Sequence, residues 1–363
     1  MNIAYLSSSF FPSKAANSVH VVRMSEALVK AGHTVTLFAF AEGVFDLKTD
    51  YGLAHSFETV TIPRKKTGRI AKVLSFLRAA SVMDTSTFDL IYVRNVTTAL
   101  FVKKSKPIIL ETHALLGFLW KLRVNFLLRQ KNVVAVVAIT QALADDFVKV
   151  FPLAEGKILV ASDCATTPTN VEPTPTGKLT VGYIGHLYEG RGIDIVVGLA
   201  ESFPDLDFLV VGGEDEHVTT WKQRCTHIPN LSFEGYVPHG KLGEYYTRID
   251  IVLAPYQQVV RVSGNVGDTG RWMSPLKIFE YMSYGKPMLI SDLPVLREVL
   301  KDGETCLLCE PSDPASWKTQ LSRLTEDETF RHRLGKQAYA DFLEHYTWDA
   351  RVKKILNYVE ERL

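Results

Sequence analysis

Lys277 sits where a cation is out of place. The stretch Ser274–Pro287 reads as one short helix with both ends marked: Ser274 as N-cap, Pro275 at the first helical position, Gly285 as a left-handed stop and Pro287 beyond it. Lys277 then falls in the first turn, where the helix dipole disfavours a positive charge by roughly 0.3–1 kcal/mol. An anion at that terminus reverses the penalty, and first-turn N–H groups are a ready phosphate site. At about 100° per residue, Ile278, Phe279 and Met282 share one side, while Lys277, Glu280, Tyr281 and Tyr284 share the other. An ordinary surface helix carrying a lysine fits the same spacing, so the rest of the chain has to decide.

A second cation, Arg191, stands between Gly190 and Gly192 in a loop that follows an apolar run. Its guanidinium fork suits phosphate oxygens. The spacing of Gly182, Gly185, Gly190 and Gly192 does not make GxGxxG, which argues against a nicotinamide-dependent oxidoreductase. No cluster with metal-ligand spacing stands out, so neither a metal nor another cofactor is expected. Cys306-Leu-Leu-Cys309 is formally a CxxC, but no second pair accompanies it and its middle is a buried-strand signal, so it reads as core. With Cys164 and Cys225 it makes four cysteines, too few for a disulfide framework in 363 residues.

The elements that position these groups come from a chain long enough for two domains. It is 46% hydrophobic and 22% charged, as soluble globular proteins are. The opening Met1-Asn-Ile-Ala-Tyr-Leu-Ser lacks a basic n-region and is not expected to be a signal peptide. No apolar run is long enough to span a bilayer, and a cytoplasmic location is expected. The net charge of +1 hides an asymmetry: residues 1–165 carry +8 and the remainder −7.

Short apolar runs alternate with helical patterns. Strands are expected at Asn2–Ser7, Thr34–Phe40, Leu90–Val93, Pro107–Glu111 and Val133–Thr140. A helix capped by Asn17 or Ser18 follows the first of them, and another lies between Thr140 and Phe151. A Pro- and Thr-rich linker occupies residues 166–177. A second series follows: Leu179–Ile184, a helix from Ile193, Asp207–Gly212, Leu231–Phe233, a helix to Ile249, Ile251–Ala254, Pro287–Ile290, a short helix through Leu300 and Thr305–Leu308. Helices then fill Pro314 to His345. The expected fold class is α/β, two doubly wound Rossmann-like domains (1–165 and 178–345) facing a central cleft, with ligands beyond the carboxyl ends of the strands.

The order of the motifs is similar to that of GT-B fold glycosyltransferases of family 4. Ser13–His20 with Ala31–Val35 resembles the family's opening loop, helix and second strand, and Leu110-Glu-Thr-His113 its strand ending in a histidine. Val181–Gly192 resembles the phosphate loop of its second domain. Phe233–Val237 and Ser274–Pro287 resemble the rest of the donor site, and Lys301–Leu308 a segment beyond it. Residues 346–363, opening on Tyr346-Thr-Trp-Asp349, suit the family's final helix, which crosses back to the first domain. The resemblance runs along nearly the whole length, and its strength lies in the order of several moderate motifs.

The resemblance implies a retaining, nucleotide-sugar-dependent transferase, with a UDP- or GDP-sugar as donor. Gly185, His186, Arg191, Pro275, Leu276 and Lys277 would hold the diphosphate, and Glu280 the ribose. Gly212, Glu214, Gly235, Tyr236 and Val237 would line the base. Asn17, Ser18, Asp268 and Trp272 would border the sugar and acceptor, and His113 would meet the sugar. Arg191 stands where the family usually has lysine, and His186 where it often has arginine. The larger departure is Trp272, at the position of the first of the family's two acidic residues. Asp268 could substitute for it, Trp272 could stack on the sugar, or the chain could be an inactive partner subunit that binds donor. Another GT-B chemistry, epimerisation or phosphorolysis, is the third reading.

Two segments of the basic half combine charge with apolar bulk: Pro63–Arg78 and Leu115–Lys131. In the second, Leu116, Leu119, Trp120, Val124, Phe126 and Leu127 can share a helix surface near Lys121, Arg129 and Lys131. That is the composition of a helix in a membrane interface, and equally of one facing a core. A lipid-linked or cell-envelope glycan acceptor at an anionic membrane surface fits the +8 surplus. Nucleic acid fits less well, since no recognition motif accompanies the charge.

Overall fold

The computed structural model describes the chain except residues 14–15, 42–44, 64–83, 95, 101, 103–104, 170–176 and 262–267. Most of the expected linker and nearly all of the Pro63–Arg78 segment lie outside the described residues. The chain divides into two compact units. The first is Met1–Asp163 with Trp348–Leu363, and the second is Cys164–Thr347.

The first unit holds a seven-stranded sheet in the order β3-β2-β1-β4-β5-β6-β7. Its strands are β1 (Asn2–Phe11), β2 (Thr34–Ala41), β3 (Glu58–Pro63), β4 (Leu90–Val93), β5 (Ile108–Thr112), β6 (Val133–Ala138) and β7 (Ile158–Val160). Every pairing is parallel. Its helices are α1 (Ala16–Lys30), α2 (Leu47–Tyr51), α3 (Val96–Ala99), α4 (Phe118–Leu128) and α5 (Gln141–Val150). The near-continuous apolar character of β1, β4, β5 and β6 follows from burial on both faces, as a parallel sheet requires. Each buried Val, Leu or Ile there contributes about 1.5–3 kcal/mol. On α1 the expected stripe of Val21, Met24 and Leu28 is buried. The helix begins at Ala16, however, so Asn17 and Ser18 lie inside its first turn and do not precede it as caps.

The second unit holds a six-stranded sheet, also all parallel, in the order β10-β9-β8-β11-β12-β13. Its strands are β8 (Thr180–Ile184), β9 (Asp207–Val211), β10 (Leu231–Gly235), β11 (Ile251–Ala254), β12 (Met288–Ser291) and β13 (Leu307–Cys309). Around it run α6 (Ile193–Ser202), α7 (Asp215–Arg224), α8 (Gly243–Tyr246), α9 (Leu276–Ser283), α10 (Pro314–Glu326) and α11 (Glu328–His345). The final helix, α12 (Trp348–Glu360), belongs to the first unit and packs on α1. Two expected helices shrink. The one ending at Ile249 is a single turn, α8, and the one before Leu300 is a 3-10 turn at Leu296–Glu298. Cys306 and Cys309 are free and buried, in keeping with the core reading.

Helix α9 corrects the expectations for its own ends and faces. Its N-cap is Pro275 and makes no side-chain cap bond, so Ser274 does not act as the cap. A proline ring with ψ of 120° can enter the helix without spending a donor. The far end is as expected. Gly285 takes a φ of 59°, its N–H bonds Met282 O, and Lys286 N–H reaches back to Tyr281 O, which is the Schellman closure. Tyr281 does not face outward with Lys277. It is fully buried, accepting from Ile184 N–H at 3.0 Å and donating to Leu253 O at 3.1 Å. A phenol on a helix wheel looks amphipathic, but its hydroxyl can be satisfied by strand backbone, which fastens α9 to β8 and β11.

Candidate functional site

In the second unit the strand order reverses between β8 and β11, and ligands of such sheets bind beyond the carboxyl ends at this switch point. Gly185 follows β8, Pro255 and Tyr256 follow β11, and the N-terminus of α9 brings in Lys277. Gly185 has a φ of +153°, and a Cβ there would lie 2.5 Å from Lys277 Nζ. Glycine at this φ leaves room for the lysine end beside the loop. Gly192, with a φ of +74°, would put a Cβ 1.8 Å from Pro255 O, which holds the Arg191 loop against the end of β11.

The result is a pair of half-buried cations, each with a buried nitrogen and without a carboxylate ion pair among the described residues. Lys277 Nζ is buried and makes no hydrogen bond there. It lies 4.0 Å from the centroid of the Tyr183 ring and 5.1 Å from that of Tyr256. Arg191 Cζ lies 5.3 Å from the Tyr256 centroid, and Nη2 donates to Arg261 O at 3.4 Å. Ring faces attract cations weakly and do not match a full charge. Burial, reinforced by Arg191, pulls the Lys277 ammonium well below its ordinary pKa, with Glu280 opposing. An anion placed here favours the charged form of the lysine and offers acceptors to both side chains.

The neighbouring groups arrange themselves around this pair. Burial, then Arg191 and Lys277, lower the pKa of His186, whose ring stacks on Tyr188 at 4.9 Å. Tyr188 Oη in turn donates to Glu214 at 2.7 Å. Glu280, about one turn beyond Lys277 on α9, accepts from Tyr246 Oη at 2.9 Å and lies 3.6 Å from His239 Nδ1. These partners aim its carboxylate and leave it with further acceptor capacity. Gly212 N–H bonds Gly235 O at 2.7 Å, joining two of the expected base-lining positions; Tyr236 is exposed and Val237 packs on the core. Trp272 is half-buried, with its N–H on Thr269 O. Asp268 Oδ1 accepts from the N–H groups of Val260 and Gly270, at 3.0 and 2.9 Å. That oxygen shapes its own loop, so only the other remains for a ligand.

The first unit collects the remaining candidates at the carboxyl ends of β4 and β5. Glu111, fully buried, is the hub. His113 Nε2 at 2.6 Å, His20 Nε2 at 3.0 Å and Arg94 Nε at 3.1 Å surround Oε1. Arg351 Nη2 at 3.2 Å and the Tyr92 hydroxyl donate to Oε2. His20 Nδ1 meets Asp163 Oδ1 at 2.6 Å. Burial alone would raise the Glu111 carboxyl, but Arg351, His20 and Arg94, with the His113 bond, hold it well below the usual range. His113 keeps 30% of its side chain exposed. Burial and then Arg94 lower its pKa to about 4, against the pull of Glu111, so the ring is neutral at pH 7. Nε2 lies 2.6 Å from both the Glu111 carboxylate and Arg94 Nη2, and Nδ1 lies 3.3 Å from Arg94 Nη2.

Sequence spacing gave no sign of this cluster, because its members lie 143 and 240 positions apart in the chain. His20, Glu111 and His113 bring three potential ligand atoms within 4.8 Å of one another, a grouping the spacing did not suggest. The Glu111 charge is already matched there by Arg94 and Arg351. Of the two acceptor-side positions, Asn17 is exposed and its Nδ2 donates to Ser9 Oγ at 2.7 Å. Ser18 is buried and donates to Ser13 O at 2.8 Å. A hydroxyl in a first helical turn finds a local carbonyl before it finds a ligand.

Two open parallel sheets, each with its polar groups gathered beyond the carboxyl strand ends, define the two-domain α/β architecture of the GT-B fold. The family model "Glycosyltransferase Family 4" matches residues 18–162, and "Glycosyl transferases group 1" matches residues 169–341. Among solved structures, a glycosyltransferase from Rickettsia africae superposes with a TM-score of 0.76 at 12% identity, covering 99% of this chain and 98% of that one. Anabaena HepE in complex with UDP and glucose gives 0.73 at 15% identity, covering 99% and 100%. The chain belongs to the GT-B fold, family 4-like glycosyltransferases. A phosphatidyl-myo-inositol mannosyltransferase of Mycobacterium leprae is 27% identical over 187 residues, 50% of this chain and 46% of that protein. A teichuronic acid biosynthesis glycosyltransferase (named as putative) of Bacillus subtilis is 26% identical over 34% of this chain and 29% of its own. The chain thus matches less than half the length of these relatives.

Proposed function

We propose that this protein transfers a sugar from a nucleoside diphosphate donor to an acceptor, with retention of configuration, and that the second unit holds the donor. The observation that carries this is the buried, unpartnered Lys277 ammonium beside Arg191 at the N-terminus of α9. As the sugar–phosphate bond breaks, negative charge grows on the leaving diphosphate. Two cations and the first N–H groups of α9 meet that charge without reorganisation. The departing phosphate oxygen then takes the proton of the incoming acceptor hydroxyl. Glu280 holds the ribose through its free acceptor capacity, and Gly212, Glu214, Gly235, Tyr236 and Val237 border the base. In the first unit, neutral His113 offers a hydrogen-bonding ring to a sugar hydroxyl. The donor is a UDP- or GDP-sugar, with UDP favoured by the Anabaena complex. The acceptor is lipid-linked or a cell-envelope glycan, as the names of the mycobacterial and Bacillus relatives suggest, and the reaction runs at an anionic membrane surface.

A second reading, an inactive donor-binding partner subunit, is favoured by Trp272 together with the loop role of Asp268. Thermal shifts with UDP, GDP and their sugars, followed by nucleotide release with and without acceptor, separate the two. A nucleotide-sugar that raises Tm and is slowly hydrolysed supports transfer, while stabilisation with no release under any condition supports the inactive partner. No stabilisation by any nucleotide removes both. Glu280→Gln is expected to weaken the ribose-bearing nucleotide more than inorganic diphosphate, by about 0.5–1.5 kcal/mol. Equal losses for the two ligands would remove the ribose assignment.

A further inference from the structure

Five of the eleven exposed large hydrophobic residues among those described crowd into one short stretch: Leu116, Phe118, Leu119, Leu122 and Phe126. Phe118 is 73% exposed and Leu119 66%. The sequence grouped Leu116, Leu119, Trp120, Val124, Phe126 and Leu127 on one surface, but the structure divides them. Val124, Leu127 and Leu128 are buried, and Trp120 packs edge-on against Phe147 and Phe151. One face of α4 therefore satisfies the core, and a second apolar face is left outward.

Helical spacing arranges that outward face in order. Phe118, Leu122, Phe126 and Leu119 span an arc of roughly 100°. Arg123 lies just past one edge of the arc, Lys121 past the other, and Arg129 near its end. Lys121, Arg123, Arg129 and Lys131 are all exposed. None of the four is ion-paired to a carboxylate among the described residues, and no Asp or Glu occurs between Glu111 and Asp145. An apolar strip with basic margins and no acid is complementary to an anionic bilayer: rings and leucines enter the interface while ammonium and guanidinium groups meet phosphates. No helix among the described residues is long and apolar enough to cross a membrane, so the contact is one of lying on the surface.

We propose that α4 docks this protein onto anionic membrane surfaces, with Leu116, Phe118, Leu119, Leu122 and Phe126 inserted and Lys121, Arg123, Arg129 and Lys131 on the lipid phosphates. This names the docking element within the membrane reading above and does not depend on the donor chemistry. The test is cosedimentation of the full chain with vesicles of phosphatidylcholine containing rising phosphatidylglycerol, at low and high salt. Beside it run the variants Phe118→Ser/Phe126→Ser and Lys121→Gln/Arg123→Gln/Arg129→Gln. Wild-type binding that rises with phosphatidylglycerol and falls with salt is expected. Each variant is expected to lose tenfold or more in vesicle affinity, with Tm and the nucleotide-induced shift in Tm unchanged. Wild-type binding that both variants retain overturns α4 as the docking element and leaves the membrane reading standing. A wild type that stays in the supernatant on strongly anionic vesicles at low salt overturns both, whatever the nucleotide result. Concentration-dependent self-association that Phe118→Ser/Phe126→Ser abolishes, without vesicle binding, assigns the face to a second copy and likewise overturns the proposal.

Discussion

Glu111 in the first unit and Lys277 in the second are both buried charges, and their surroundings are opposites. Glu111 is met by two guanidinium groups, two imidazoles and a phenol, all drawn from its own unit. Lys277 Nζ has two aromatic faces, a like charge nearby and no hydrogen bond. Burying a charge is tolerable when it is matched, and costly when it is not. In the first arrangement the carboxylate charge is matched by guanidinium groups of its own unit. The second has no such match, and the donor diphosphate proposed above would supply it.

The largest expected effect comes from breaking the matched arrangement. Glu111→Ala leaves Arg94 and Arg351 facing each other without a counter-charge, and should cost about 3–5 kcal/mol in chemical denaturation. An unchanged midpoint would mean that solvent already matches the cluster. Next in size is the unmatched arrangement, where loss of one cation acts on ligand and not on fold. Arg191→Ala and Lys277→Met should each weaken donor binding by about 1.5–3 kcal/mol, tenfold or more, read by titration with the nucleotide. The ligand-free protein should respond the other way. A lysine whose folded pKa is depressed binds its proton more readily unfolded, so below its ordinary pKa it costs stability. Lys277→Met is therefore expected to raise the ligand-free stability by about 0.5–2 kcal/mol. Weaker binding together with lower stability would show that the lysine is part of the scaffold after all.

The last expected effect is a pH slope to which His113 contributes. The His113 pKa falls from 6.5 unfolded to about 4 folded, so the unfolded chain holds more protons between those values. Stability is full above pH 6.5 and declines as pH falls toward 4, by at most one proton or ~1.4 kcal/mol per pH unit. His113→Gln should make that window shallower, the rest belonging to His33 and His186, whose pKa values are also lowered, and leave the decline below it, which belongs to Glu111 and Asp163. A window unaltered by the substitution would assign the slope to other groups.

The same contrast marks what the sequence could disclose. Strands Leu90–Val93 and Ile251–Ala254 were legible to the residue, since a parallel strand buried on both faces writes itself as an unbroken apolar run. Lys277 and Arg191 were legible because each breaks a local rule, a cation in a first helical turn and an arginine between two glycines. The partners of Glu111 were not, because Arg351 and Asp163 obey every local rule and become buried only through contacts far along the chain. Tyr281 misled for a related reason: a helix wheel shows its direction but not the strand carbonyl waiting for its hydroxyl. In α4 both faces are apolar, and composition alone does not say which one the core will take.

Helix α12 carries Arg351 into the first unit only after all of Cys164–Thr347 has been made. At ~5–20 residues per second that interval is on the order of 10–40 s. Until it ends, Glu111 lacks one of its two guanidinium partners, and the surface of α1 that α12 covers stands open. The second unit, whose residues are contiguous, can fold while the first still waits. Nascent chains arrested near Thr347 should therefore show Met1–Asp163 cut readily by protease and Cys164–Thr347 protected. The half of the protein that is synthesised first is the half that finishes last.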